Sequence, residues 1–242
     1  MVYYVKRITY NVQHNMKHYV IIVAGGSGSR MHSAVPKQFL LLNDLPVLMH
    51  TINAFYHCKT KPEIIVVLPI DSHDYWNKLC RVHHFEISHQ LVSGGETRFH
   101  SVKNGLALIE DDNAIVAVHD AVRPLINCEI IDESFECATQ YGNAIVAIKS
   151  RDSVRQIKDN RSVSLVRDEI YLIQTPQTFQ LTQLREAYLQ PYQTSFTDDA
   201  SVVEQTGVNI NLIGGSYQNI KITFPEDIAI AEFLLKNKSH SL

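Results

Sequence analysis

The sequence predicts an α/β fold: a doubly wound, mostly parallel sheet with a protruding β-hairpin arm. Three observations carry that prediction. Four continuous apolar runs recur along the chain, and runs without alternation belong to strands buried on both faces, as in a parallel sheet. Segments with apolar residues at helical spacing lie between the runs, and strand–helix alternation is the mark of a doubly wound sheet. A polar, alternating stretch then breaks the rhythm and reads as a hairpin.

The strand runs are Tyr19–Val23, Ile64–Leu68, Ala114–Val118 and Ala144–Ile148. Val47, Leu48, Ile52 and Phe55 share one helical face. So do Phe99, Val102, Leu106 and Ile109, and so do Ile130, Ile131, Phe135 and Ala138, where Asn127 is suited to cap the start. The stretch Lys149–Ile173 is the arm, turning at Asp159-Asn160. Its apolar surface is small, so it is marginal alone and calls for a partner chain. Beyond it, Leu181–Leu189 and Ala200–Gln205 read as helices, and Val208–Ile213 and Asn219–Thr223 as strands. Pro225 followed by Glu226 and Asp227 favours a helix start there, running to about Leu235. Residues 1–15 lack a signal-peptide core and precede the first strand, so they are expected to lie outside the fold, with Met16 as an alternative start and residues 16–242 as one domain.

Composition sets further bounds. The 242 residues are 45% hydrophobic and 19% charged, which excludes a disordered or low-complexity chain. The net charge of −3 gives no basic excess, so no nucleic-acid surface is implied and any anion site must be local. The four cysteines are irregularly spaced, with neither a disulfide framework nor a zinc motif, which suits a reducing, cytoplasmic location. The histidines are scattered and form no evident metal site. No apolar run approaches the roughly 18 residues of a membrane span, so no membrane partner is expected.

Four segments carry chemistry. The first is Val23-Ala24-Gly25-Gly26-Ser27-Gly28-Ser29-Arg30, followed by Pro36-Lys37. Glycines after a strand let backbone N–H groups approach phosphates at the carboxyl edge of the sheet. The P-loop pattern is absent, and the Rossmann fingerprint fails because Met31 stands where its third glycine belongs. The loop delivers two cations instead, Arg30 and Lys37, which suits a triphosphate whose charge grows during reaction. The second is Ser93-Gly94-Gly95-Glu96-Thr97-Arg98, with Ser101 in the first turns of the helix that follows. Such amides and hydroxyls can hold a base or ribose. The third is His119-Asp120-Ala121-Val122-Arg123, where Asp120 could meet a ribose or Mg²⁺ and Arg123 an anion, or the two could pair internally. The fourth group is dispersed: Ser153, Arg167, Thr175, Thr197 and Lys221, natural anchors and hydroxyl partners for a phosphorylated substrate.

Together the blocks AGGSGSRM, PKQF, GGETRFHSV, HDAVRP, QTPQTF, FTDDASVVE and NIKITFPED resemble the 2-C-methyl-D-erythritol 4-phosphate cytidylyltransferase family, in its order and spacing, from about Tyr19 to Leu235. The resemblance implies a Rossmann-like fold of the nucleotide-diphospho-sugar transferase type and a role in nonmevalonate isoprenoid biosynthesis. It implies that Arg30 and Lys37 stabilise the transition state, and that Ala24, Gly25, Gly26, Gly28, Gly95, Arg98, Ser101, Asp120 and Ala121 form the CTP site. Asp120, Arg123, Ser153, Arg167, Thr175, Thr197 and Lys221 would meet the polyol phosphate, with Arg167 and Lys221 positioning its phosphate. Mg²⁺ would be held mainly by CTP phosphates, with Asp120 as its protein contact. The arm at 149–173 would embrace a second subunit, so that Ser153 and Arg167 complete the partner's site in a homodimer. Val122 and Ser153 depart from the family's usual alanine and threonine, although Ser153 keeps the hydroxyl.

The reaction so implied is attack of a phosphate oxygen on the α-phosphorus of CTP, with pyrophosphate leaving in line. The nucleophile is already an anion, so no strong general base is needed. Ribitol-5-phosphate cytidylyltransferase shares several blocks, although Thr197-Asp198-Asp199-Ala200-Ser201 favours the methylerythritol enzyme. A Rossmann oxidoreductase and a non-catalytic nucleotide-binding module are the readings from other classes. The missing glycine opposes the first; Arg30, Lys37 and Lys221 oppose the second.

Overall fold

A computed structural model describes residues 16–25 and 35–238. The expectations for residues 1–15, Gly26, Gly28 and Arg30 fall outside the described residues. The central sheet is built from β1 (Lys17–Val23), β4 (Glu63–Leu68), β5 (Gln90–Ser93), β6 (Ala114–Asp120), β7 (Asn143–Lys149), β10 (Tyr171–Gln180) and β11 (Leu212–Gly214). Their order is β11-β7-β10-β6-β1-β4-β5. β1 pairs in parallel with β4 and with β6, and β4 with β5. β10 runs antiparallel to both β6 and β7. The sheet is therefore mostly parallel. After β5 the chain crosses back to the far side of β1, which makes the carboxyl ends of β1 and β6 a topological switch point, where ligands bind in such sheets.

Alternation along the strands divides the core. Val20 and Ile22 of β1, with Ile115 and Ala117 of β6, face α1 (Val47–His57), α2 (His73–Val82) and α4 (Cys128–Tyr141) through Leu48, Ile52, Phe55, Trp76, Ile131 and Phe135. Ile21 and Val116 face the opposite way, onto α3 (Arg98–Leu106), α5 (Leu181–Ala187) and α6 (Asp199–Glu204). Each strand thus reads as a continuous apolar run because both faces are covered. Asn127 caps α4 as expected, its side chain accepting the Ile130 N–H at 3.0 Å. A third, smaller cluster joins Leu42 of β2 (Leu41–Leu42), Val47, Val122, Leu125, Ile222 and Ala231. It seats α7 (Glu226–Lys238), which begins just after Pro225, against the turn that follows β6. β2 pairs only with β3 (Leu45–Pro46).

Several expected elements differ. Asn219–Thr223 is not a strand; its Ile222 N–H donates to the Val122 carbonyl at 2.9 Å, but no ladder follows. Of the expected Val208–Ile213 strand only Leu212 and Ile213 lie in a strand, β11, which extends to Gly214 and pairs in parallel with β7. The arm turns at Asp159-Asn160, both at positive φ (50° and 60°), as a tight two-residue hairpin turn requires. Its ladder is limited to β8 (Arg155–Lys158) and β9 (Arg161–Ser164). Ser153 precedes that ladder and Arg167 begins a single 3₁₀ turn after it. The chain on either side of the arm belongs to β7 and β10, closed by a Ser150 N–H to Ile170 carbonyl bond of 2.9 Å. No helix of the described residues is long and apolar enough to cross a membrane.

Candidate functional site

Three parallel strands deliver their carboxyl ends to one edge, and the ladder runs one residue further. The Ala24 N–H donates to the Val67 carbonyl at 2.9 Å, that of Ala121 to Val23 at 3.1 Å and that of Gly94 to Leu68 at 2.8 Å. Gly94, Ala24 and Ala121 thereby extend β5, β1 and β6 at the same edge. The Gln38 side-chain amide holds the Ala24 carbonyl at 2.9 Å.

Two glycine segments meet at Ser101. Its hydroxyl accepts the Gly95 N–H at 3.1 Å and donates to the Thr97 carbonyl at 3.0 Å. A Cβ on Gly95 would lie 2.4 Å from His100 Cβ, so the loop closes onto α3 only with glycine there. A Cβ on Gly25 would stand at ordinary contact distance, 3.5 Å, from Ser101 Oγ. Ser101 is buried, and its hydroxyl braces the loop.

Asp120 is the electrostatic centre. Its Oδ2 lies 3.0 Å from Lys221 Nζ and 3.2 Å from Arg123 Nε, and its Oδ1 lies 3.8 Å from Arg98 Nε. Burial alone would raise the carboxyl pKa, but Lys221, Arg98 and Arg123 outweigh it and hold the group well below the usual carboxylate range. The internal Asp–Arg pairing that the motif left open is therefore present. Arg123 is also anchored through Nη1 to the Asn219 carbonyl at 2.8 Å. Lys37 Nζ donates to the Ile222 carbonyl at 3.3 Å, next to Lys221 in the chain. Lys37, Lys221, Arg123 and Arg98 set four cations against Asp120 and Asp199, two carboxylates. A chain of net charge −3 thus concentrates positive charge at this edge.

Arg98 also faces away from the strand ends. Its guanidinium grips Asp199 through two bonds of 2.9 and 2.6 Å, and Tyr188 donates to the same carboxylate at 2.6 Å. Asp199 is fully buried. Its burial is made tolerable by charge-assisted pairing. Asp198 caps α6 with a capping box to Ser201, and Gln177 bonds both Asp198 Oδ2 (2.8 Å) and the Ala200 N–H (2.9 Å). The TDDAS and QTPQ segments are thus locked together. Thr197, just before that cap, is exposed.

Thr175 is buried. Its Oγ1 accepts the Asp120 N–H at 3.1 Å and lies 3.0 Å from His119 Nδ1. The single chain does not bring Ser153 or Arg167 to the cluster. Both are exposed on the arm, where Arg167 pairs with Asp168 at 3.6 Å. His119, Gln177, Tyr188, Asp199 and Asn219 support the site without having been read as site residues. All but Tyr188 stood inside the quoted motifs, but their role depends on partners from other segments. Among the described residues no group of three His, Cys, Asp or Glu side chains is placed to hold a metal. Asp120 can still serve as a single carboxylate ligand, because Oδ1 is less committed than Oδ2. That suits Mg²⁺, which takes one or two carboxylates beside substrate phosphates.

Comparison with known proteins locates this arrangement. The model of the IspD family, 2-C-methyl-D-erythritol 4-phosphate cytidylyltransferase, matches residues 18–237. The chain belongs to that family. The 2-C-methyl-D-erythritol 4-phosphate cytidylyltransferase of Bacteroides thetaiotaomicron is 48% identical over 91% of this chain and 100% of its own length. That of Phocaeicola vulgatus is 46% identical over the same shares. The crystal structure of 4-diphosphocytidyl-2C-methyl-D-erythritol synthase from Anaerococcus prevotii superposes with a TM-score of 0.79 at 28% identity, covering 92% of this chain and 100% of that one. The family match includes the Asp120 cluster and the arm.

Proposed function

We propose that this chain transfers CMP from CTP to 2-C-methyl-D-erythritol 4-phosphate, giving 4-diphosphocytidyl-2-C-methyl-D-erythritol and pyrophosphate in isoprenoid biosynthesis. The observation that carries this reading is the Asp120 cluster: a carboxylate with three cations at the switch point of the sheet, in a chain matching the family from 18 to 237.

CTP is bound by Ala24, Gly25, Gly26, Gly28, Gly95, Arg98, Ser101, Asp120 and Ala121, with the glycines letting backbone N–H groups approach its phosphates. Arg30 and Lys37 stabilise charge developing around the α-phosphorus, a task suited to fixed cations in a partly dry site. Arg123 and Lys221 receive the polyol phosphate. Asp120 pre-aligns them, and its charge keeps the empty cluster from self-repulsion. The acceptor phosphate is already anionic, so positioning and charge stabilisation carry the rate. Asp120 would be the protein contact for Mg²⁺, which would offset triphosphate charge.

The exposed arm supports a homodimer in which Ser153 and Arg167 reach the second copy's site. Ile157, Val163 and Val166 are 69%, 52% and 62% exposed, which leaves apolar surface for a partner. Thr197, exposed just before α6, offers a hydroxyl to the same polyol phosphate. The free cysteines suit a reducing, cytoplasmic setting.

Pyrophosphate release tests the reaction. With CTP, 2-C-methyl-D-erythritol 4-phosphate is expected to give a higher kcat/KM than ribitol 5-phosphate, and Lys37→Ala is expected to lower kcat by about 10²-fold. Preference for ribitol 5-phosphate, or a fully active Lys37→Ala enzyme, would overturn the assignment.

A further inference from the structure

His119 is a polar ring in a place where an apolar one would fit. It is fully buried at the end of β6 and packs edge-on against Phe55, ring centroids 4.9 Å apart. Among the described residues no carboxylate bonds its ring. Its Nε2 lies 3.3 Å from the Arg123 carbonyl and its Nδ1 3.0 Å from Thr175 Oγ1. A carbonyl can only accept, so Nε2 carries the proton. The ring is fully buried and Nε2–H is committed to the carbonyl, so in the neutral ring Nδ1 is a bare acceptor. Thr175 must then donate to Nδ1, and its oxygen is left to accept the Asp120 N–H at 3.1 Å.

We propose that His119 is a positioning residue for the transfer reaction: through Thr175 on one side and the Arg123 carbonyl on the other, it clamps both ends of the turn that presents Asp120 and Arg123. The turn itself is closed by an Arg123 N–H to Asp120 carbonyl bond of 3.1 Å. Asp120 is the shared partner of Lys221, Arg123 and Arg98. A drift of this turn displaces the phosphate-binding cations together. Thr175 accordingly acts through its inward-facing hydroxyl as part of the same chain of bonds. The inference rests on the proposed cytidylyl transfer, and the experiment separates the two.

The test compares wild type, His119→Phe, His119→Asn, Thr175→Val and the double variant His119→Phe/Thr175→Val, measuring kcat, the KM of each substrate and Tm. His119→Phe keeps the ring volume against Phe55 but removes both bonds. It is expected to lower kcat/KM for the polyol phosphate about three- to tenfold, the worth of one or two net hydrogen bonds, and to raise the KM of CTP less. His119→Asn, whose Oδ1 falls near the place of Nδ1 and can accept from Thr175, is expected to recover part of that loss. The double variant is expected to be no worse than the poorer single one, because both break one chain of bonds. In wild type, ¹⁵N-resolved NMR is expected to find the Nε2–H tautomer at neutral pH.

Wild-type kcat/KM in His119→Phe, independent multiplying losses in the double variant, or an Nδ1–H tautomer would each overturn the proposal. The NMR readout stands even where a variant fails to fold. An inactive wild type would instead overturn the proposed reaction.

Discussion

The Asp120 cluster and the hairpin arm are held by opposite means. In the cluster, each group is fixed from several directions: Asp120 by three cations and Thr175, Arg98 by Asp199, and Asp199 in turn by Tyr188. On the arm, β8 and β9 are exposed along their whole length and bond only to each other. Arg167, half exposed, has its neighbour Asp168 as ion-pair partner. Both regions carry residues assigned to one reaction. One chain by itself therefore fixes the Asp120 cluster, whereas the role proposed for the arm needs a surface outside the chain.

The largest expected effect lies inside the cluster. Asp199→Ala removes the bidentate partner of Arg98 and leaves both that guanidinium and the Tyr188 hydroxyl without it. Breaking a buried ion pair costs about 3–5 kcal/mol, and the lower end applies because Arg98 keeps some contact with water. Urea unfolding is expected to show a loss near that size. A loss comparable to that of an exposed ion pair would mean the cluster is no more firmly held than the arm.

Acid should separate the regions next. The folded-state pKa of His119 lies at about 3, below its ordinary value of 6.5. As pH falls below about 6.5, the unfolded chain binds a proton that the folded chain refuses, so stability declines at up to ~1.4 kcal/mol per pH unit. Asp120 adds to the decline only below its unfolded pKa of about 4, because its folded value is depressed and its stabilisation is lost as pH falls through that value. His18 and His50, also lowered by burial, contribute in the same direction as His119. Unfolding free energies at pH 7, 6 and 5 should therefore fall less steeply in His119→Phe than in wild type. Equal slopes would show that folding leaves the proton affinity of His119 unchanged.

The smallest effect on the fold belongs to the arm. Ile157→Asp with Val163→Asp is expected to change protomer stability by no more than about 0.5 kcal/mol per site, as for exposed positions generally, and to leave the circular dichroism spectrum intact. Light scattering is expected to find a dimer in wild type and a monomer in this variant. A variant that stays dimeric would place the interface elsewhere.

Legibility in the sequence followed burial. β1, β4, β6 and β7 declared themselves because strands covered on both faces are written as unbroken apolar runs. α2 and β5 left little trace, since α2 buries only Trp76 and β5 lies at the sheet edge, half exposed. β10 was hidden by its polar motif. Its register shifts between Ile173 and Gln177 around Pro176, which has no N–H to give the ladder. Asn219–Thr223 looked like a strand because Ile220 and Ile222 alternate with polar residues. Ile222 instead fills the small cluster under α7, and Asn219 bonds Gln174 and Thr175.

Readable in the sequence were the class of fold, the sheet edge that gathers the charged motifs, and the residue types placed there, because contiguous motifs at strand ends need no long-range information. Tertiary structure alone decided how those side chains are used. Arg98 and Asp199 are 101 positions apart, and Thr175 and Asp120 are 55 apart. Whether a threonine faces a substrate or a buried histidine, and whether an arginine waits for a phosphate or holds a carboxylate, depends on which donors and acceptors the packing brings within about 3 Å, since a buried polar group must find its partner there.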